Sequence, residues 1–245
     1  MSLGKVRALV VTDPLIVLAT AFMGTLSLAA SLFDSSGRTQ HRIARAWGRM
    51  LLAISGVRVR VEGLENIVAE GSYVIAPNHL SYMDTPVLLA HIPVQFRFLA
   101  KQSLNVVPFI GYHLKRAGHI AVPRDDARAS VRTLAVAARV IRERGVSVLV
   151  FPEGGRSPGA LEEFKEGAAY IAIKAGVPAV PVGIVGTREI LPMDSMLPSS
   201  GLVTLRVGEP IPTAGLAMRD RAALTRRLRE RVLELTGVGA AKSHV

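Results

Sequence analysis

From Val57 onward, short β-branched runs alternate with stretches of helical periodicity, and this alternation restricts the fold more than any other feature of the chain. The runs VRVRVEG, SYVIAP, FRFLA, HIAVP, VSVLVF, AVPVGIV and LVTLRVG read as strands. The clearest helix covers DDARASVRTLAVAARVIRERG. There Val131, Leu134, Ala138 and Ile141 form an apolar stripe, Asp125 or Asp126 caps the start and Gly145 ends it. A second helix reads over EFKEGAAYIAIKAG. A third, RDRAALTRRLRERVLEL, sets Leu224, Leu228, Val232 and Leu235 on one side, and its arginines read as a solvated face, with contact to membrane or an acidic protein as the alternative. Strands alternating with helices predict an α/β layered domain over 57–245. A chain of 245 residues can bury a substantial core, as one large domain or one domain with an appendage. It contains no internal repeat, and its one boundary lies near Gly56.

The appendage is residues 1–56. Asp13 is a good N-cap and Pro14 suits a first helical position, and from Pro14 to Phe33 the chain carries no charge. Twenty helical residues reach about 30 Å, close to a bilayer's hydrocarbon thickness. DSSG then stops the helix. In RTQHRIARAWGRMLLAIS the arginines Arg38, Arg42, Arg45 and Arg49 share one face, while Ile43, Trp47, Met50, Leu51 and Ile54 line another, as in interfacial helices. The segment reads as a helical hairpin dipped into or through a bilayer, its arginines at the lipid phosphates. A secretory signal, with Lys5 and Arg7 ahead of the apolar run, and an ordinary pair of core helices are the competing readings.

Thirty Lys and Arg against nineteen Asp and Glu give a net charge of +11, which calls for an anionic partner: nucleic acid, an acidic leaflet or a phosphorylated substrate. The arginines are spread over several helices without interleaved aromatics, which argues against nucleic acid. With no cysteine, thiolate catalysis, disulfides and Cys metal sites are excluded.

Two stretches carry chemistry. NHLSYMDTP sets His79 and Asp84 at a strand-to-helix corner, the helix beginning at Asp84 or Thr85. In a continuous helix, residues five apart diverge by about 140°, so the pair can meet only if Leu80 to Met83 bend back as a turn. A carboxylate bonded to one ring nitrogen would fix the tautomer and leave the other nitrogen to take a proton from a hydroxyl. Six histidines and seven aspartates would supply such a pair by chance in about one chain in six of this size, so context must decide. In FPEGGRSPG, Gly154 and Gly155 permit a tight turn whose amides can face an anion, and Arg156 can grip phosphate in bidentate fashion; the plain alternative is a glycine turn with a solvated arginine. Residues 155–159 also fit the G-x-S-x-G pattern of serine hydrolases. Pro158, however, has no N–H to donate to an oxyanion, and the only histidine after Ser157 is His244.

Together the two stretches resemble the glycerolipid acyltransferase family, and most closely its 1-acyl-sn-glycerol-3-phosphate acyltransferases. The resemblance runs from Val57 to Gly208 in four ordered blocks: NHLSYMDTP; KQSLNVVPFIGYHLKRAGHIAVPR; FPEGGRS; and VPAVPVGIVGT. Gly155 departs from the family's usual threonine. The resemblance implies a mixed central sheet flanked by helices, with a membrane-associated two-helix segment ahead of it. His79 would be the general base and Asp84 its partner. Arg156, with Lys101 and Arg124, would bind the acceptor's phosphate, Glu153 would hold the loop or the acceptor, and Gly154, Gly155 and Ser157 would join them as substrate-binding residues of the turn. The expected reaction moves an acyl group from acyl-CoA or acidic acyl-carrier protein to the sn-2 hydroxyl of a lysophospholipid, with no metal and no further cofactor, at the cytoplasmic face of a membrane. Another acceptor (glycerol 3-phosphate, a different lysophospholipid or a lyso-ornithine lipid) and a non-catalytic lipid-binding protein on the same scaffold are the alternatives.

Overall fold

Each of the seven β-branched runs contains a strand: β1 (Val57–Glu62), β2 (Val74–Pro77), β3 (Phe96–Lys101), β4 (Ile120–Val122), β5 (Ser147–Leu149), β6 (Ala179–Val185) and β7 (Gly201–Val207). They form one sheet in the order β1-β7-β6-β2-β5-β3-β4 in a computed structural model that describes residues 6–123, 127–158 and 160–237. From β6 through β4 all neighbours are parallel, whereas β7 runs antiparallel to β6 and carries β1 parallel to itself. The sheet is therefore mixed, as expected.

Helices cover both faces. α1 (Ala8–Ala30), α2 (Arg38–Ser55), α3 (Asp84–His91), α4 (Ile110–Arg116), α5 (Ala127–Arg144), α6 (Gly167–Ala175), α7 (Thr187–Ile190) and α8 (Arg221–Thr236) are the helices among the described residues, apart from short 3-10 turns. Because side chains on a strand alternate between faces, β2 feeds two cores. Ile75 packs with Leu52, Val87, Leu88 and Phe96 on the α2–α3 side, and Val74 and Ala76 pack with Ala138, Ala168, Leu224 and Val232 on the other.

Several local expectations are corrected. Asp13 does not start a helix: α1 begins in π register over Ala8–Thr12, and the Asp13 N–H bonds back to the Ala8 carbonyl. Pro14 would clash with a carbonyl one α turn earlier, and the wider π turn lets the helix pass through it. α1 is long and apolar enough to cross a membrane, and only 17% of its most apolar window is buried against the protein. On α2 the deepest face is Gln40, His41, Ala44, Gly48, Leu51, Leu52 and Ser55, while Ile43, Trp47, Met50 and Ile54 stay partly exposed. Gly48 decides this. A Cβ there would lie 2.8 Å from the Pro86 carbonyl, so α2 can press against α3 only along this row. Trp47 turns toward α1 and donates its indole N–H to Thr20 Oγ1 at 3.1 Å.

On α5, Val131 is exposed, and the buried stripe runs through Ala137, Ala138 and Ile141 with Leu134 at its edge. The expected caps Asp125 and Asp126 lie outside the described residues. α6 starts at Gly167 rather than near Glu163, because the Lys165 N–H is taken by the Pro152 carbonyl at 2.8 Å and Phe164 is drawn into the core.

Candidate active site

The site sits at the C-terminal ends of the parallel strands, where an open α/β sheet leaves a crevice. β2 ends at Pro77 and delivers Asn78 and His79, and β5 leads into Phe151 and the 152–158 loop. Asn78 closes the corner by a two-way pair with β6: its Nδ2 donates to the Ile184 carbonyl at 2.9 Å and its Oδ1 accepts from the Ile184 N–H at 2.7 Å.

The required bend is present. The Asp84 N–H reaches the Ser81 carbonyl at 3.2 Å, α3 begins at Asp84, and His79 Nδ1 lies 2.8 Å from Asp84 Oδ2. That same oxygen accepts the N–H groups of Leu80 at 2.7 Å and Ser81 at 2.9 Å. The carboxylate is wholly buried while the histidine keeps 16% of its side chain exposed, so a fixed acceptor backs a reachable ring. An acceptor with no proton to give calls for the tautomer with hydrogen on Nδ1, which leaves a lone pair on Nε2. Phe151 stacks on the imidazole, with centroids 3.9 Å apart and planes at 19°, and limits its rotation. Ser81 anchors the turn by donating its hydroxyl to the Leu191 carbonyl at 2.7 Å.

The second stretch is wired to the first. Glu153 is buried, and its Oε1 accepts the His79 backbone N–H at 2.7 Å while Oε2 receives the Ser157 hydroxyl and the Glu162 N–H. The Ser157 N–H in turn donates to the His79 carbonyl at 2.8 Å. Glu153 and Ser157 thus face each other inside the loop, and neither offers its polar group to the cleft. Gly154 has a left-handed backbone with φ of 78°, and a Cβ there would strike Lys165. Around Gly155 a Cβ would meet nothing within 4 Å, so the space the family's threonine would fill is open. Arg156 is half-buried and lies over the Tyr82 ring, 3.8 Å from its centroid, a cation–π contact with a residue of the dyad's own turn. Lys101 is exposed at the C-terminal end of β3, on the same sheet edge but two strands from β2, and no hydrogen bond or ion pair ties it to the dyad. Arg124 lies outside the described residues.

Four contributors escaped the sequence reading: Asn78, Tyr82, Phe151 and Arg188. The first three lie inside the quoted stretches and differ from their neighbours only in what they touch. Arg188, on α7, donates to the Ser157 carbonyl at 2.6 Å and the Pro158 carbonyl at 2.9 Å, and nothing in its local sequence announces that reach.

The chain is 34% identical over 184 residues to the chloroplastic 1-acyl-sn-glycerol-3-phosphate acyltransferase LPAT1 of Arabidopsis thaliana, covering 74% of this chain and 51% of that protein. It is 31% identical over 192 residues to the 1-acyl-sn-glycerol-3-phosphate acyltransferase of Borreliella burgdorferi, covering 78% and 76%. The chain spans about half the length of the plant relatives it matches. Among solved structures, the 1-acyl-sn-glycerophosphate (LPA) acyltransferase PlsC from Thermotoga maritima superposes with a TM-score of 0.81 at 27% identity, over 99% of each chain. The model of the Acyltransferase family matches residues 58–185, which hold the dyad, the glycine turn and Arg156, and by that match and these relatives the chain belongs to the Acyltransferase family.

Proposed function

We propose that the protein transfers an acyl group from a thioester donor, acyl-CoA or acyl-carrier protein, to the free sn-2 hydroxyl of 1-acyl-glycerol 3-phosphate, giving phosphatidic acid. The observation that carries this reading is the 2.8 Å contact between His79 Nδ1 and the buried Asp84 carboxylate, with Arg156 held over the same turn. His79 Nε2 takes the proton of the acceptor hydroxyl as its oxygen attacks the thioester carbonyl. The tetrahedral intermediate then collapses, the C–S bond breaks, and the imidazolium returns its proton to the departing thiolate. Asp84 stabilises the imidazolium while it exists. Arg156 holds the acceptor's phosphate so that the hydroxyl lies at the ring, a positioning effect that can supply several kcal/mol of the barrier.

Direct transfer suits this chain better than an acyl-enzyme. There is no cysteine, and the Ser157 hydroxyl is fully buried and given to Glu153. The proposed chemistry asks for no cofactor beyond the thioester. The exposed apolar length of α1 supports attachment at a membrane, where a lysolipid acceptor is supplied in two dimensions. The cytoplasmic face, where acyl-CoA and carrier protein reside, is the side we assign.

The test is turnover by purified protein with lysophosphatidic acid and acyl-CoA in mixed micelles. His79→Ala should abolish transfer, and Arg156→Ala should chiefly raise the KM for the acceptor by about tenfold or more. Undiminished turnover in His79→Ala would sink the mechanism.

A further inference from the structure

The N-terminal edge of the sheet, opposite His79, carries a second polar cleft. About 580 Å³ in volume, it opens between the first turns of α2 and the segments that lead into β2, β3 and β5. Arg38, Arg42 and Arg45 from α2 line it, with Glu70, Gln95 and His41. Gly71 and Gln95 precede strands whose far ends lead toward His79 and Lys101. The cleft and the dyad are therefore separated by the length of the central strands, on the order of 13 Å or more.

We infer that this cleft binds a phosphate-bearing anion at a site separate from the reaction centre. Three guanidinium groups face one carboxylate, and among the described residues none of the three makes an ion pair. Arg45 is anchored by a 3.3 Å hydrogen bond to the Pro93 carbonyl, which fixes its charge at the cleft wall. Behind the arginines lie buried polar atoms outside hydrogen-bond geometry among the described residues. His41 is only 5% exposed: both ring nitrogens are shielded from solvent and, among the described residues, outside strict hydrogen-bond geometry, with the Val94 backbone close enough to act on the ring. Gln95 Nε2 is likewise buried without a partner. A phosphate offers several acceptor oxygens, enough for guanidinium groups from all three arginines at once. Leu32 and Phe33, exposed by 72% and 90%, precede Arg38 at the hairpin tip, so the anion could come from a lipid headgroup as readily as from solution.

The site does not depend on the acyl-transfer reading and can be tested without turnover. The probe is inorganic phosphate added to the full chain in neutral detergent, read as a rise in melting temperature. Flotation with vesicles of phosphatidylcholine alone, or with phosphatidic acid added, forms the second arm. The wild type and Arg156→Ala should both respond. In the Arg156→Ala background, where the reaction centre's own phosphate contact is removed, Arg38→Gln/Arg42→Gln should lose at least about tenfold in affinity. The charge-matched Arg226→Gln/Arg227→Gln, on the exposed face of α8, should bind as the wild type does. A response to phosphate and to vesicles assigns a free anion as sufficient, whereas a response to phosphatidic acid vesicles alone assigns the lipid headgroup. A response that vanishes in Arg156→Ala alone, that in the Arg156→Ala background survives Arg38→Gln/Arg42→Gln or falls equally in Arg226→Gln/Arg227→Gln, or that is absent in both arms overturns the proposal.

Discussion

Asp84 concentrates its bonds on one oxygen. Oδ2 takes three donors, while Oδ1, also buried, takes none among the described residues. The carboxylate therefore orients the ring and ties the turn with the same atom, so an amide in its place disturbs both tautomer and bend. Asp84→Asn should lower kcat by about 10²–10⁴ with a smaller change in KM, measured by steady-state kinetics beside a melting curve to separate folding from catalysis. A kcat within twofold of wild type would remove Asp84 from the mechanism. At this scale the dyad was legible because both partners lie within six residues and only one bend could join them. The loop's support was not. Glu153 reads in sequence as a candidate for loop or acceptor, and only the folded chain brings its two oxygens to the His79 N–H and the Ser157 hydroxyl.

Helix α2 packs against both α1 and α3. Trp47 reaches α1, while Gly48 lies under the first turn of α3, the helix whose first residue is Asp84. Gly48→Ala should destabilise the protein by about 1–3 kcal/mol through overpacking, visible as a lower melting temperature. Turnover should fall with it, because the displaced element carries the dyad's carboxylate. An unchanged melting temperature would show that α2 and α3 separate without cost. The helical period of α2 was plain in the sequence, and so was its charged face. Which apolar row goes deepest was not, since hydrophobicity favoured Trp47 and Ile54 whereas close approach of two helices selects the row that contains glycine.

Across the whole molecule the hairpin is fastened to the sheet by buried polar groups. Arg97, fully buried on β3, donates to the Ser36 carbonyl at 2.7 Å, beneath Gly37 in a left-handed turn. Around it stand His41, His113, bonded to Ser27 at 2.7 Å, and His119, which accepts the Phe98 N–H at 2.8 Å. Burial, then Arg97 and Arg45, pushes His41 down to about 3. Burial and Arg97 push His113 down to about 4, and burial holds His119 well below the ordinary value. These groups are neutral in the fold and ordinary in the unfolded chain. Their stability is thus complete above about pH 6.5 and lost as pH falls toward 4, by about 1.4 kcal/mol per pH unit for each histidine that protonates only when unfolded. Asp34, held below the carboxylate range by hydrogen bonds from Ser36 and Thr39, adds its loss only below about pH 4. Melting temperature should therefore drop between pH 7 and 4.5, before carboxylates titrate, and a flat profile there would contradict the buried cluster. By itself the sequence determined the strand and helix alternation, the apolar first helix and the His79–Asp84 pair, because periodicity and short spacing are local properties. The strand order, the burial of Arg97 and the joining of the Glu153 loop to the His79 corner were decided by tertiary structure. They depend on which distant segments exclude water from one another, and no local pattern encodes that.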